Sequence, residues 1–204
     1  PYTTLFRSGQ TYRLASPFMV IATQNPIEME GTYPLPEAQR DRFMARVTMG
    51  YPARQSEVAM LESHGGGDQL ATVRPVTDVA TVAAAVRAIR AVYVAPVIND
   101  YIVSMVEATR QHPELRLGAS PRASLHLMRA ARVAAALAGR DYVIPEDVQT
   151  LAVEVLSHRL LPTVEAQDAE RARLHQLIAK LVEWKNSNDD ELLEQARAEI
   201  RKSN

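Results

Sequence analysis

The run Phe18-Met19-Val20-Ile21-Ala22 constrains this chain more than any other stretch. It is short, uninterruptedly apolar, and bracketed by Ser16-Pro17 before it and Asn25-Pro26 after it. A strand with one wet face alternates polar and apolar residues, whereas a continuous apolar run fits a strand covered on both faces. Such strands belong to parallel sheets between helical layers, so residues 17–23 are expected to form an inner strand of an α/β sheet. The alternation over residues 10–14 predicts another short strand. A loop rich in Gly and Pro follows from Pro26 to Pro36. Pro36 sits where a helix starts, which predicts a short helix over 37–44 and a further strand over 46–50.

Beyond residue 53 the periodicity changes to that of helices. A helix is expected over 56–64, stopped by Gly65-Gly66-Gly67. Asp78 is placed to cap a helix over 79–92, where Val79, Val82, Val86 and Ile89 recur at three- and four-residue spacing. Pro96 opens a helix to about Gln111. Ser120 is a candidate cap for a helix over 121–137, with Pro121 at its first position and Gly139 just past its end. Pro145 and the acidic pair Glu146-Asp147 start the last body helix, to about His158. The expected architecture is an α/β fragment followed by an all-α bundle, mostly helical overall.

Composition narrows the chemistry. The chain has no cysteine, which excludes disulfides, thiolate metal sites and a cysteine nucleophile. Its five histidines are scattered without ligand-like spacing, so no metal site is expected. The formal net charge of −1 gives no general attraction to nucleic acid. No apolar run approaches the roughly 20 residues that span a bilayer, and no leader pattern precedes the body, so a cytoplasmic location without membrane contact is expected.

An inner strand ending in a polar Asn, a Gly/Pro loop and a short helix ending in Asp-Arg-Phe form a specific combination. The string IATQNPIEMEGTYPLPEAQRDRF (21–43) closely resembles the MoxR family of AAA+ ATPases. The later string LGASPRASLHLMRAARVAAALAGRDYVIPEDV (117–148) resembles the helical lid of the same family. The resemblance covers residues 9–163, with 9–53 matching the end of the α/β ATPase core, two or three strands of it, and 54–163 the lid.

The resemblance implies roles for three residues. Asn25 falls on the position called sensor 1, where a neutral amide at a strand tip orients the attacking water near the γ-phosphate. Arg42 falls on the arginine-finger position, which reaches into the neighbouring subunit's ATP site. A guanidinium suits it, being always charged and able to pair bidentately with phosphate oxygens. Arg40 departs from the family pattern, so either Arg40 or Arg42 is open as the phosphate-facing residue, with Arg42 on the matching position. Arg122 falls on sensor 2, in the first turn of a lid helix whose N-terminus favours phosphate. Glu28 and Glu30 lie two apart in the loop without a His or ligand partner and are not read as catalytic carboxylates. The family further implies ATP and Mg²⁺ as cofactors, a ring homo-oligomer (a hexamer), ATP hydrolysis coupled to chaperone-like remodelling or maturation of a protein substrate, and a von Willebrand A-type partner.

The phosphate-loop pattern G-x-x-x-x-G-K-[ST] does not occur, and no apolar run ends in the acidic pair of a Walker B strand. This chain by itself is therefore expected neither to bind ATP tightly nor to hydrolyse it. The two expected strands, 17–23 and 46–50, flank a family strand missing here, which leaves backbone edges unpaired and the lid as the part best able to fold alone. Residues 1–8 match the translation of a common sequencing-adapter end and are set aside as an expected artefact. Residues 168–204 are densely charged and are read as helices over 169–184 and 189–202, either a chimeric join or an amphipathic tail. Two other functions stay open. One is a helical interaction or nucleic-acid-binding module, based on six arginines against one acidic residue, Glu114, between Arg110 and Arg140. The other is a magnesium-chelatase-like AAA+ subunit.

Overall fold

A computed structural model describes residues 4–7, 10–24, 35–63 and 73–163, together with positions 176, 178–180, 182, 183 and 198. The chain divides into two compact units, one formed by residues 1–22 and 47–86, the other by 23–46 and 87–204. Among the described residues no helix is long and apolar enough to cross a membrane.

In the first unit, β1 (Thr4–Arg7) and β2 (Gln10–Arg13) form an antiparallel hairpin that places Thr4 opposite Arg13 and Arg7 opposite Gln10. The segment set aside as an adapter remnant thus supplies one strand of this hairpin. Helix α2 spans Arg54–Ser63, close to its expected place. Helix α3 spans Val79–Ala91, its last residues counting with the second unit. Asp78 caps it as expected, Oδ1 accepting from the Thr81 backbone N–H at 2.8 Å and Oδ2 from the Thr81 hydroxyl at 3.1 Å. These bonds favour the charged carboxylate and hold its pKa below the ordinary value.

The second unit holds the hydrophobic core. It contains α1 (Glu37–Arg40), α4 (Pro96–Gln111), β3 (Leu115–Leu117), α5 (Pro121–Leu137), α6 (Pro145–Thr150), α7 (Ala152–Leu156) and β4 (Leu161–Pro162). Helix α4 buries Ile98, Tyr101, Ile102, Met105 and Val106, a stripe at helical spacing. Buried positions of α5 include Leu127 and Ala123, Ala130, Ala131 and Ala135, and the small alanines let neighbouring backbones approach closely. Val148, Ala152, Val155 and Leu156 close the cluster from α6 and α7. Ile178, in the charged C-terminal segment, is buried in the same cluster, and Val182 packs against it. The remainder of the helices expected over 169–184 and 189–202 lies outside the described residues.

Helix α5 has the bounds its sequence signals predict. It ends at Gly139, whose φ of +75° is left-handed. Gly139 N–H bonds to Ala136 O at 3.0 Å and Arg140 N–H to Ala135 O at 2.9 Å, the paired arrangement that terminates many helices. Gly118 is required for a different reason. A Cβ there would lie 2.6 Å from the backbone of Thr109 and Arg110, so only glycine lets the loop entering α5 lie against α4.

Three expectations are corrected. No strand forms over 17–23 or 46–50, and Phe18, Met19, Val20, Ile21, Val47 and Met49 are exposed. A strand covered on both faces needs hydrogen-bonded neighbours, and none stands beside these runs among the described residues. Second, α1 stops at Arg40 instead of Met44, with Asp41 to Met44 forming a turn whose carbonyls are bound by Arg159. Third, the helix expected from Pro145 to about His158 is two helices. They are parted at Leu151, where φ is −106° and ψ is 1°.

Candidate functional site

The Asp41-Arg42-Phe43 turn is held by one carboxylate and one buried guanidinium. Asp41 Oδ1 accepts from the Ser120 hydroxyl at 2.9 Å and from Arg159 Nε at 3.1 Å. Asp41 Oδ2 accepts from Arg122 Nη1 and the Ser120 hydroxyl, each at 3.0 Å. All of these groups belong to the second unit.

Ser120 is the N-cap residue of α5, yet its hydroxyl makes no capping bond and donates to Asp41 instead. Its carbonyl still accepts the first helical bond, from Ala123 N–H at 2.9 Å. The cap read from sequence is therefore present in backbone geometry, while its side chain serves a contact 79 positions away in sequence. Arg122, in the first turn of α5, has its side chain 45% exposed where it meets Asp41.

Arg159 is the hub. Its side chain is 1% exposed. Besides Asp41 Oδ1, it donates to the Asp41 carbonyl at 3.2 Å and the Met44 carbonyl at 3.3 Å. It also donates to the Phe43 and Val155 carbonyls and to Nδ1 of His126. Burial lowers its pKa, and the Asp41 charge opposes that shift. A buried charge persists only when paired and hydrogen-bonded, and Arg159 meets both conditions. Sequence reasoning missed it. The available signal was a lone arginine set between Val155-Leu156 and Leu160-Leu161, a charge that can lie in such a run only if partnered.

Two histidines pack beside this hub. His126 Nδ1 accepts from Arg159 and so carries no proton there, while His158 Nε2 donates to the Phe43 carbonyl at 3.1 Å. Each is lowered from 6.5 to about 4, first by burial and then by the Arg159 charge. Between these values the unfolded chain binds more protons than the folded one. Their stabilising contribution is therefore complete above about pH 6.5 and is lost as pH falls towards 4. The loss amounts to at most on the order of 3 kcal/mol per histidine. Urea midpoints should be level above neutrality and fall steeply by about pH 4.5, less so in His126→Gln. Equal midpoints across that range would contradict the neutral assignment.

Of the residues singled out from sequence, Arg42 is exposed on the turn, and Arg122 meets its neighbour Asp41. Arg40 is partly buried, with a buried Nε that has no hydrogen-bond partner. Glu37 pairs with Arg116 at 3.5 Å. Asn25, Glu28 and Glu30 lie outside the described residues. Four of the six arginines between 110 and 140 are engaged within the chain. Arg110 donates to the Ala119 carbonyl at 2.8 Å, Arg116 pairs with Glu37, Arg122 with Asp41, and Arg140 bidentately with Asp147 at 2.8 and 2.6 Å. Asp147 also accepts the Ile144 N–H at 2.9 Å, so this pair fixes the start of α6.

Residues 107–178 match the AAA lid domain, and residues 3–45 match the ATPase family associated with various cellular activities (AAA). The chain is 46% identical over 159 residues to the uncharacterised protein YeaC of Bacillus subtilis, covering 78% of this chain and 50% of that protein. It is 42% identical over 171 residues to Chaperone MoxR1 of Mycobacterium tuberculosis, covering 78% and 44%. With protein MoxR of Methylorubrum extorquens the identity is 36% over 186 residues, covering 79% and 53%. The crystal structure of a "putative ATPase" from Cytophaga hutchinsonii matches with a TM-score of 0.79 at 35% identity, covering 89% of this chain and 57% of that one. The chain thus spans about half the length of the curated relatives it matches. Its Asp-Arg-Phe turn latched to a lid helix, the two family matches and these relatives agree, and the chain belongs to the MoxR family of AAA+ ATPases.

Proposed function

We propose that this chain is the finger-and-lid portion of a MoxR-type ring ATPase, in which Arg42 completes the ATP site of the adjacent subunit. The observation that carries this reading is the latched turn. Asp41 and the Asp41, Phe43 and Met44 carbonyls are all bound by lid groups, while the intervening Arg42 is exposed. A trans-acting finger has to be held in register by its surroundings, since misplacement by about 1 Å can cost on the order of 10²-fold in rate.

Arg122 is the lid group that contacts ATP phosphate from its own subunit, and Asn25 orients the attacking water. The residues present fit part of an Mg-ATP site. Arg42 and Arg122 are guanidiniums suited to phosphate oxygens, whereas the phosphate-loop motif is absent from this sequence. When bound, Mg-ATP supplies the phosphoanhydride that is cleaved. The ring is a homo-oligomer, a hexamer, and its work is chaperone-like remodelling of a protein substrate with a von Willebrand A-type partner. The name of the mycobacterial relative supports the chaperone role.

The test compares this chain with the full-length ATPase. The 204-residue chain should show no ATP hydrolysis above background. In the full-length enzyme, Arg122→Ala should raise KM for ATP by about tenfold, a loss expected of one charge-assisted phosphate contact. An unchanged KM would remove Arg122 from the nucleotide site, and steady turnover by the chain alone would overturn the division of labour.

A further inference from the structure

Asp41 is shared by two arginines of unequal standing. The Arg159 side chain is 1% exposed and is bound to several backbone carbonyls as well, so it is a fixed anchor. The Arg122 side chain is 45% exposed and pairs with Asp41 at 3.0 Å. An exposed pair of this kind contributes only about 0–1 kcal/mol. A phosphate, with more charge than a carboxylate and several acceptor oxygens, is able to draw Arg122 away. Ser120, the N-cap of the helix that carries Arg122, bonds both oxygens of the same carboxylate.

We propose that Asp41 is a positioning residue that couples a subunit's own nucleotide, felt through Arg122, to the finger residue Arg42 that the same subunit offers its neighbour. This rests on the roles given above to Arg42 and Arg122. With Arg122 on Asp41, two residues at the start of α5 hold the turn, Ser120 and Arg122. With Arg122 on phosphate, Ser120 alone holds it from α5, with Arg159 behind it, so the turn is held less tightly and the finger's orientation depends on occupancy of its own subunit's site. Asp41 and the phosphate then compete for one guanidinium.

Competition gives a signature that a purely structural role does not. In the full-length ATPase, Asp41→Asn keeps a side chain able to accept from Ser120 and Arg159 but weakens the hold on Arg122. KM for ATP should fall by about two- to fivefold, the range an exposed ion pair can contribute, while kcat falls by about tenfold or more. The gain in affinity should vanish when Arg122→Ala is already present, and Asp41→Glu should restore part of kcat. Should Asp41→Asn raise KM, or lower it equally without Arg122, the proposal is overturned. For a variant that assembles poorly, hydrogen exchange on the 204-residue chain gives a second reading. Asp41→Asn should raise exchange at the Arg42, Phe43 and Met44 amides while α4 and α5 stay protected. Unchanged exchange at the turn would overturn the proposal. If Arg42→Ala retains turnover, the finger reading itself fails. If Arg42→Ala is inactive while Asp41→Asn behaves as the parent, the coupling alone fails.

Discussion

Replacing Arg42 with alanine in the full-length ATPase is expected to lower kcat by on the order of 10³ while leaving ATP affinity within about twofold. In the proposed finger role the guanidinium would neutralise charge that develops on the transferring phosphoryl group, so its removal would be felt in the transition state and little in the ground state. The bonds from Ser120 and Arg159 that hold the turn end on Asp41 and on backbone carbonyls, so Arg42→Ala leaves them in place, and a thermal melt run beside the kinetics separates lost turnover from lost folding. Arg42→Lys should recover little, because a single ammonium lacks the planar fork that pairs with two oxygens. Steady-state kinetics over an ATP titration separates the cases. Loss of affinity with normal turnover at saturation would remove Arg42 from the finger role.

Replacing Arg159 with leucine is expected to be among the most destabilising single changes in the second unit. It deprives the Asp41 carboxylate of its buried partner and leaves the Phe43, Met44 and Val155 carbonyls short of a donor. Breaking a buried ion pair by removing one partner costs about 3–5 kcal/mol, and because Arg122 and Ser120 still reach Asp41 the loss here is expected near the lower end of that range. Urea unfolding of the 204-residue chain should register a loss of that size. Arg159→Lys should recover only part of it, since one ammonium cannot reach acceptors on the 41–44 turn, α7 and His126 together. A loss below about 1 kcal/mol would mean that the hub is not what holds the turn.

What was legible in the sequence was local. The bounds of α4 and α5, the Asp78 cap and the Gly139 stop follow from residues within one turn of each helix end, and the structure has them where those residues put them. The Asp-Arg-Phe block and the lid string were legible as family motifs. What was not legible depends on partners far along the chain. The apolar runs at 17–23 and 46–50 carry the pattern of inner strands, but a strand is made by its neighbours, and none adjoin these runs among the described residues. The turn after α1 is bound by Arg159, over a hundred positions later, which nothing near α1 in the sequence reveals. Ser120 reads as a simple cap because nothing in its own helix reveals that Asp41 competes for its hydroxyl. Apart from the break at Leu151, the misses fall at the turn or at the sheet, where contacts are non-local.

The central claim is that this chain's Arg42 acts on a neighbouring subunit's nucleotide, and mixing two inactive variants tests it most directly. One full-length variant carries Arg42→Ala, and the other has an intact Arg42 but a disabled phosphate loop. Each is expected to be inactive alone. Mixed rings place an intact Arg42 beside an intact phosphate loop at some interfaces, so ATP turnover should reappear on mixing and peak near equal proportions. No recovery at any ratio, with mixed assembly confirmed, would contradict the account.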